Sequence, residues 1–194
     1  MAIHNWDYAP EALEVQVSEL LLATADQSDE LVDENVRLVL HELRQHLGME
    51  VIFVSEIRNG QRMFQHVDTA PGKEWIATGE GGPLEESFCQ CVLEGTLPGL
   101  VHDAATHPAF ARLPATPFRV GAHLSVPIVL ASGTVYGTLC CFSQAADESL
   151  TARDLQKLEC VARITARRID LKQAQQPAPA DKHLPPGTPA PAKR

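Results

Sequence analysis

The most reactive side chains of this 194-residue chain are its five cysteines, Cys89, Cys91, Cys140, Cys141 and Cys160. A thiolate can act as a nucleophile, a metal ligand or a redox group, and the spacing of the cysteines limits which role is available. Cys89 and Cys91 lie two positions apart on a predicted helix, where their side chains point about 200° apart. Cys140 and Cys141 are adjacent on a predicted strand and face opposite sides of it. We therefore expect at most one thiol of each pair to reach a shared cavity.

The cysteine pattern has three interpretations. Free cysteine is among the most buried residue types, so the simplest role for each thiol is that of a small buried apolar group. A redox or ligand-bonding role is the second interpretation, and Cys89 is the candidate for it. A zinc site is disfavoured, because Cys-x-Cys and Cys-Cys lack the Cys-x-x-Cys spacing that surrounds zinc well.

A second group of candidate site residues lies near the strand that begins the last predicted hairpin. His123 and Ser125 alternate on this strand and face the same side of it, and Arg119 lies just before them. Buried polar groups on a strand need partners, which a bound ligand, water or a neighbouring helix can supply. We predict a ligand site formed by Cys89, Arg119, His123 and Ser125, with His66 from an earlier strand. Ordinary internal hydrogen bonding is the alternative.

Two further polar clusters have simpler explanations than chemistry. His102, Asp103 and His107 lie in a proline-containing segment, which predicts a solvated turn rather than a metal site. Glu85 and Glu86 fall in the first turn of a predicted helix, where the helix dipole favours acidic side chains. No glycine-rich phosphate-binding loop and no nucleophile elbow occurs in the sequence.

Apolar periodicity and turn residues predict the elements that position these side chains. Asn59-Gly60 is a strong two-residue hairpin signal, and Gly48 is a plausible helix stop. The predicted helices cover 10–25, 28–48, 84–94 and 108–113, and the last begins at Thr151. The predicted strands are 50–58, 61–67, 99–102 and the two strands of the last hairpin, and residues 69–83 form a loop.

The last hairpin is the most informative stretch of the chain. Two apolar runs flank the turn signal Ala131-Ser132-Gly133. Neither run alternates between apolar and polar residues, so both faces of the sheet should be covered. The stretch resembles the core of the GAF family of sensory domains, in which G-x-x-x-x-V-P-I precedes a turn and then x-x-G-x-L. The matching residues are Gly121, Val126, Pro127, Ile128, Gly137 and Leu139.

The resemblance implies an α+β fold of the PAS/GAF type. In this family a central antiparallel sheet is sandwiched between terminal helices and a lid of loops and short helices, here residues 69–118. The resemblance covers residues 33–171, preceded by a helical extension at 1–32. The tail at 172–194 is rich in proline and is expected to be disordered.

Composition limits the partners and the compartment. A formal net charge of −9 argues against the clustered basic surface that nucleic-acid binding needs. The N-terminal residues lack the basic and apolar regions of a signal peptide, and no apolar run is long enough to span a membrane. We expect a cytoplasmic protein with free thiols and with neither membrane nor nucleic acid as a partner.

Similar segments occur in GAF domains of bacterial cyclic-di-nucleotide signalling proteins and histidine kinases. The resemblance therefore implies a non-catalytic sensory domain that binds a small molecule or responds to redox state. It also implies a homodimer formed through the terminal helices, which would signal to a downstream protein. The ligand and any cofactor stay open.

Two alternatives to a sensor remain at the level of the sequence. One is a thiol-based reductase of the free methionine sulfoxide reductase type, using Cys89 with Cys91 or Cys141. The other is a structural dimerisation module with a filled pocket. Bilin-binding relatives attach the pigment through a cysteine commonly followed by histidine, a pair that this sequence lacks. Haem-binding relatives need an axial histidine, for which His66, His102 and His123 are equal candidates.

Overall fold

The computed structural model describes residues 29–112 and 116–175. The helices are α1 (Asp29–His46), α2 (Phe88–Leu93) and α3 (Ala152–Gln175), and 3₁₀ turns lie at Leu84–Glu86, Ala104–Thr106 and Pro108–Arg112. The strands are β1 (Val51–Arg58), β2 (Gln61–Thr69), β3 (Gly81–Pro83), β4 (Leu100–Val101), β5 (His123–Val129) and β6 (Val135–Phe142). The predicted helix at 10–25 and the proline-rich segment from 176 lie outside the described residues. Among the described helices, none has the length and apolar character needed to cross a membrane.

The strands form one antiparallel sheet in the order β3-β2-β1-β6-β5-β4. Both predicted hairpins are present. Asn59 and Gly60 turn the first with φ angles of 53° and 71°, the left-handed pair that a type I′ turn requires. Gly133 turns the second with φ of 83°. The predicted α+β architecture with a central antiparallel sheet is confirmed.

Each face of the sheet carries its own core. Side chains that alternate along the strands, such as Ile52, Leu124 and Cys141, pack under α1 and α3. Their neighbours in sequence, such as Phe53 and Cys140, face the lid and pack against α2 and the loops. The two apolar faces explain why the strands do not alternate with polar residues. The opposite orientations of Cys140 and Cys141 follow from the same alternation.

The structure corrects the prediction of one continuous helix over 84–94. Ser87 is extended, with φ −137° and ψ 151°, and it separates a 3₁₀ turn from α2. Its hydroxyl donates to the carbonyl of Leu84 at 2.6 Å and accepts from the amide of Gln90 at 3.3 Å, so it caps α2. Glu85 and Glu86 therefore lie in the 3₁₀ turn that precedes α2, and not in the first turn of α2 itself.

The edge strand β3 was predicted as loop. It pairs with β2 through only three residues, and Gly81 lies opposite Met63. A Cβ atom on Gly81 would lie 2.1 Å from the carbonyl oxygen of Arg62, so the close pairing requires glycine here. A strand without apolar side chains has no periodicity for sequence analysis to detect.

Candidate functional site

A cavity of about 90 Å³ lies between α2 and the lid-facing side of the sheet. Its walls are mostly aromatic, formed by Phe53, Phe64, Phe88, Phe118 and Phe142. Arg62 of β2, Cys89 of α2 and His123 of β5 supply polar groups to the same space. A concave, mostly apolar space with a few convergent polar groups is the usual form of a small-molecule site.

Cys89 and Cys140 form the centre of a buried polar cluster on the floor of this cavity. Their sulfur atoms are 3.8 Å apart. The hydroxyl of Thr138 donates to Cys89 Sγ at 3.1 Å, and the Cys140 thiol lies 3.2 Å from the same hydroxyl oxygen. Ser125 Oγ lies 2.9 Å from Cys140 Sγ, and Ser55 Oγ lies 2.9 Å from Thr138 Oγ1. Each of these side chains is at most 1% exposed, and among them Cys89 is the one that lines the cavity.

The two thiols differ in their tendency to ionise. The hydrogen bond from Cys140 is the largest cause that lowers the pKa of Cys89, to about 6; burial opposes it, while the Arg62 charge and the Thr138 hydroxyl assist. Burial raises the pKa of Cys140 well above its ordinary value, and the adjacent Cys89 raises it further. The charge is therefore carried by Cys89, with Cys140 as the protonated neighbour.

Arg62 and His123 each bring an unsatisfied nitrogen to the cavity. The guanidinium of Arg62 stacks 4.6 Å from the ring centroid of Phe64, and its Nη1 lies 3.8 Å from Cys89 Sγ. Its Nε has no hydrogen-bond partner among the described residues, nor does Nδ1 of His123. His123 is only 3% exposed, and burial lowers its pKa to about 4. Buried polar atoms without partners are rare in folded proteins and need an explanation.

The structure brings together three of the five predicted site residues. Cys89 and His123 line the cavity, and Ser125 lies one layer below, against Cys140. Arg119 instead forms a two-pronged ion pair with Asp103, with both bonds 2.7 Å long, and its side chain is 44% exposed.

His66 lies on the other side of the sheet. It pairs with Val54 across β1 and β2, and Val54 packs in the core beneath the terminal helices. Opposed residues on neighbouring antiparallel strands share a face. His66 therefore does not face the cavity.

The sequence did not identify Cys140 as the neighbour of Cys89. Cys91 is only partly buried and packs against the lid-side core without lining the cavity. Cys141 belongs to the helix-side core. The pairs considered from the sequence, Cys89 with Cys91 or Cys141, are therefore not the pair that the fold forms. Ser125 lies opposite Cys140 in the last hairpin, and this register could have indicated Cys140 as a site residue. A bulge near Val129 shifts the pairing by one residue when it is counted outwards from the turn.

The size of the cavity limits which cofactors fit. It is smaller than the about 150 Å³ cavity that accommodates benzene in an engineered protein core. A haem or bilin would therefore require displacement of the lid. Of the three histidines considered as axial ligands, only His123 lines the cavity. Across residues 29–112 and 116–175, no three His, Cys, Asp or Glu side chains converge on a possible metal position.

Comparison with known proteins gives the family. The model of the GAF domain matches residues 32–169. None of the curated proteins matches this sequence significantly.

Solved structures share the fold at low identity. The GAF domain of an Acinetobacter phosphoenolpyruvate-protein phosphotransferase has a TM-score of 0.64 and 13% identity, over 91% of this chain and 99% of that one. Free methionine-R-sulfoxide reductase from Neisseria meningitidis, in complex with its substrate, has a TM-score of 0.63 and 19% identity, over 89% and 98%. The phycocyanobilin-bound GAF domain of a cyanobacterial phytochrome has a TM-score of 0.65 and 10% identity, over 87% and 98%. These likenesses show the fold, and the family model shows that the chain belongs to the GAF domain family.

Proposed function

We propose that this GAF domain is a non-catalytic sensor that binds a small molecule in the cavity between α2 and the sheet. The observation that carries the proposal is the pair of partnerless nitrogens, Nε of Arg62 and Nδ1 of His123, at one aromatic-walled cavity. A ligand that hydrogen-bonds to both nitrogens would relieve the cost of burying them unpaired. Two solved structures of the same fold hold a small molecule, phycocyanobilin in one and a substrate in the other.

The cavity favours a small planar ligand with a hydrogen-bond acceptor. Its volume of about 90 Å³ is below that of the about 150 Å³ cavity that binds benzene, so the ligand must be small. Arg62 offers a positively charged donor, whereas the lowered pKa of His123 keeps that ring neutral near pH 7. Phenylalanine walls suit a flat or apolar remainder. We therefore propose a small carboxylate or amide as the ligand class.

The strand β5 provides a route from the ligand to the terminal helices. His123 and Ser125 face the cavity and its polar floor, whereas Leu124 and Val126 on the same strand pack in the core under α1 and α3. Because the two faces of β5 contact the cavity and the helices, a shift of β5 on ligand binding would act directly on α3. We propose that the helices pass this displacement to a downstream protein.

We also propose that the domain forms a homodimer through its terminal helices. Leu38 of α1 is 45% exposed and Leu171 of α3 is 53% exposed, which leaves apolar surface on both helices. Sedimentation equilibrium on the wild type should give a dimer, and the double variant Leu38→Glu with Leu171→Glu should be monomeric at the same concentration. Gln45→Glu adds charge at an exposed position of α1 and should remain dimeric. A monomeric wild type would reject the dimer.

The open cavity argues against the alternative of a dimerisation module with a filled pocket. The reductase alternative would now have to use Cys89 with Cys140. We place the domain in the cytoplasm, where a reducing environment keeps all five cysteines free, as they are in the structure.

Ligand-observed NMR tests the sensor proposal with acetate and acetamide as probes. We expect saturation transfer from the wild-type protein to at least one probe. The transfer should be lost in Arg62→Met and in His123→Phe, because each removes one of the partnerless nitrogens. Glu85→Gln changes an exposed residue that does not line the cavity and should bind as the wild type does.

A second readout covers a ligand already bound during expression. Native mass spectrometry of freshly purified protein would show such a ligand as an added mass. No saturation transfer together with a bare chain mass would reject small-molecule binding at this cavity.

A further inference from the structure

The strongest reactive feature of the cavity is the contact between two thiols of different character. Cys89 Sγ and Cys140 Sγ are 3.8 Å apart, whereas a disulfide requires about 2.05 Å. The residues come from different elements, α2 and β6, so small movements of the short helix can close the gap. No disulfide links them in the structure. With such a movement, an oxidant could join the two sulfur atoms in a disulfide.

We propose that Cys89 and Cys140 form a thiol switch that a small hydroperoxide closes into a disulfide. This proposal does not rest on the binding of a carboxylate or amide. It assigns a covalent modification site to the same cavity, with Cys89 as the attacking sulfur and Cys140 as the resolving one.

The chemistry proceeds in two balanced steps. The Cys89 thiolate attacks the terminal oxygen of the hydroperoxide, and the O–O bond breaks. The leaving alkoxide, or hydroxide when the oxidant is hydrogen peroxide, takes up the proton that Cys89 released on ionising and becomes an alcohol or water. Cys89 then carries a sulfenic acid. The Cys140 sulfur attacks the Cys89 sulfur, the S–O bond breaks, and the hydroxide leaves with the thiol proton of Cys140 as water. Together the thiols lose two electrons, and the peroxide gains them.

Two contacts prepare Cys89 for the first step. Arg62 places its Nη1 3.8 Å from the sulfur, and the Thr138 hydroxyl donates to the sulfur at 3.1 Å. Both stabilise the thiolate, which is the nucleophilic form. The cavity lies in front of Cys89 and is also lined by the exposed Glu86. The volume of the cavity restricts the oxidant to hydrogen peroxide or a short alkyl hydroperoxide.

Closing the disulfide would change the lid. The sulfur atoms must approach by nearly 2 Å, which pulls α2 towards β6 and narrows the cavity. Arg62 would also lose the charged sulfur beside it. The disulfide and the proposed ligand would therefore both change the position of the lid.

Intact-mass measurement during titration with hydrogen peroxide tests the switch. The reduced full-length protein should become lighter by two hydrogen masses at about one equivalent of peroxide, and peptide mapping should join Cys89 to Cys140. Cys91→Ser should behave as the wild type does. Cys89→Ser should form no such disulfide. Cys140→Ser should stop at the sulfenic acid on Cys89, which dimedone captures as a stable adduct.

The rate of Cys89 oxidation shows whether its surroundings activate the thiol or merely place it near Cys140. Arg62→Met should lower the second-order rate of Cys89 oxidation by at least about tenfold, because the charge that stabilises the thiolate is gone. Thermal unfolding of each variant in the reduced state shows whether it is folded, and Cys89→Ala is the substitute if Cys89→Ser is not. A disulfide joining any other pair, no dimedone adduct in folded Cys140→Ser, or an unchanged rate in folded Arg62→Met would overturn the proposal.

Discussion

Replacing Gly137 by alanine is expected to lower the free energy of unfolding by about 3 kcal/mol or more, an effect of the size seen when a packed core is overfilled. Gly137 lies in β6 between β1 and β5, opposite Glu56 and Ile128. A Cβ atom at this position would lie 1.8 Å from the carbonyl oxygen of Ser55 and 2.7 Å from its carbon. Both are backbone atoms of a central strand, so neither can rotate away. The clash can be relieved only by separating β1 from β6.

The same displacement would reach the candidate site. Ser55 Oγ lies 2.9 Å from Thr138 Oγ1, and Thr138 donates to Cys89. If Gly137→Ala folds at all, its Cys89 should therefore be less easily ionised and slower to react with peroxide. The close packing of the β1 and β6 backbones beside the thiol cluster thus explains why glycine occupies position 137 in the x-x-G-x-L segment.

Chemical denaturation of matched glycine variants measures the effect. Gly82→Ala is the control, because a Cβ atom there would meet nothing within 4 Å, and the residue has no positive φ. Gly82→Ala should retain wild-type stability to within about 1 kcal/mol. Equal stability of the Gly137 and Gly82 variants would show that β1 and β6 can separate without cost, contrary to the packing described.

The sequence predicted the parts of the fold that depend on local signals. Asn59-Gly60 and Ala131-Ser132-Gly133 each encode a turn in a few adjacent residues, and both hairpins are present. The alternation of strand side chains also placed Cys140 and Cys141 on opposite faces. These features need no knowledge of what packs against them.

The site depends on contacts between distant elements, which local patterns do not contain. The rotation and depth of α2 decide that Cys89 meets Cys140, 51 residues further along the chain. Arg119 was placed near His123 by sequence distance alone, yet Asp103 draws its side chain to the surface. Arg62 was missed because an arginine in a predicted hairpin strand is usually solvent-exposed, and only stacking on Phe64 turns it towards the cavity.

Acidification is expected to destabilise the domain through His123 before any carboxylate with a lowered pKa is protonated. The pKa of His123 falls from 6.5 to about 4 on burial, so the unfolded chain binds a proton between these values and the folded chain does not. The free energy of unfolding therefore decreases as the pH falls from about 6.5 to 4, by about 3 kcal/mol in total. Glu50 and Asp154 have pKa values lowered from 4.5 and 3.8, so the stability they contribute is lost only as the pH falls below those ordinary values.

The environment of His123 gives the protonated ring no compensation. Its Nδ1 has no partner among the described residues, and the ring lies 5.3 Å from that of Phe88. Arg62 lines the same cavity and would repel an imidazolium, while the Cys89 thiolate and the exposed Glu86 are the negative groups there. Because the structure provides no direct contact from His123 to either negative group, we expect burial to dominate.

Urea denaturation at several pH values between 7.5 and 4 isolates the contribution of His123. The wild type should lose about 3 kcal/mol more than His123→Gln over this range, since glutamine cannot take up a proton. His102→Gln, at a half-buried histidine of the lid, should follow the wild-type profile. Parallel profiles for the wild type and His123→Gln would mean that the imidazolium is accommodated. In that case protonated His123 would be able to bind an anion. The proposed ligand class, which was argued from a neutral His123, would then have to be revised.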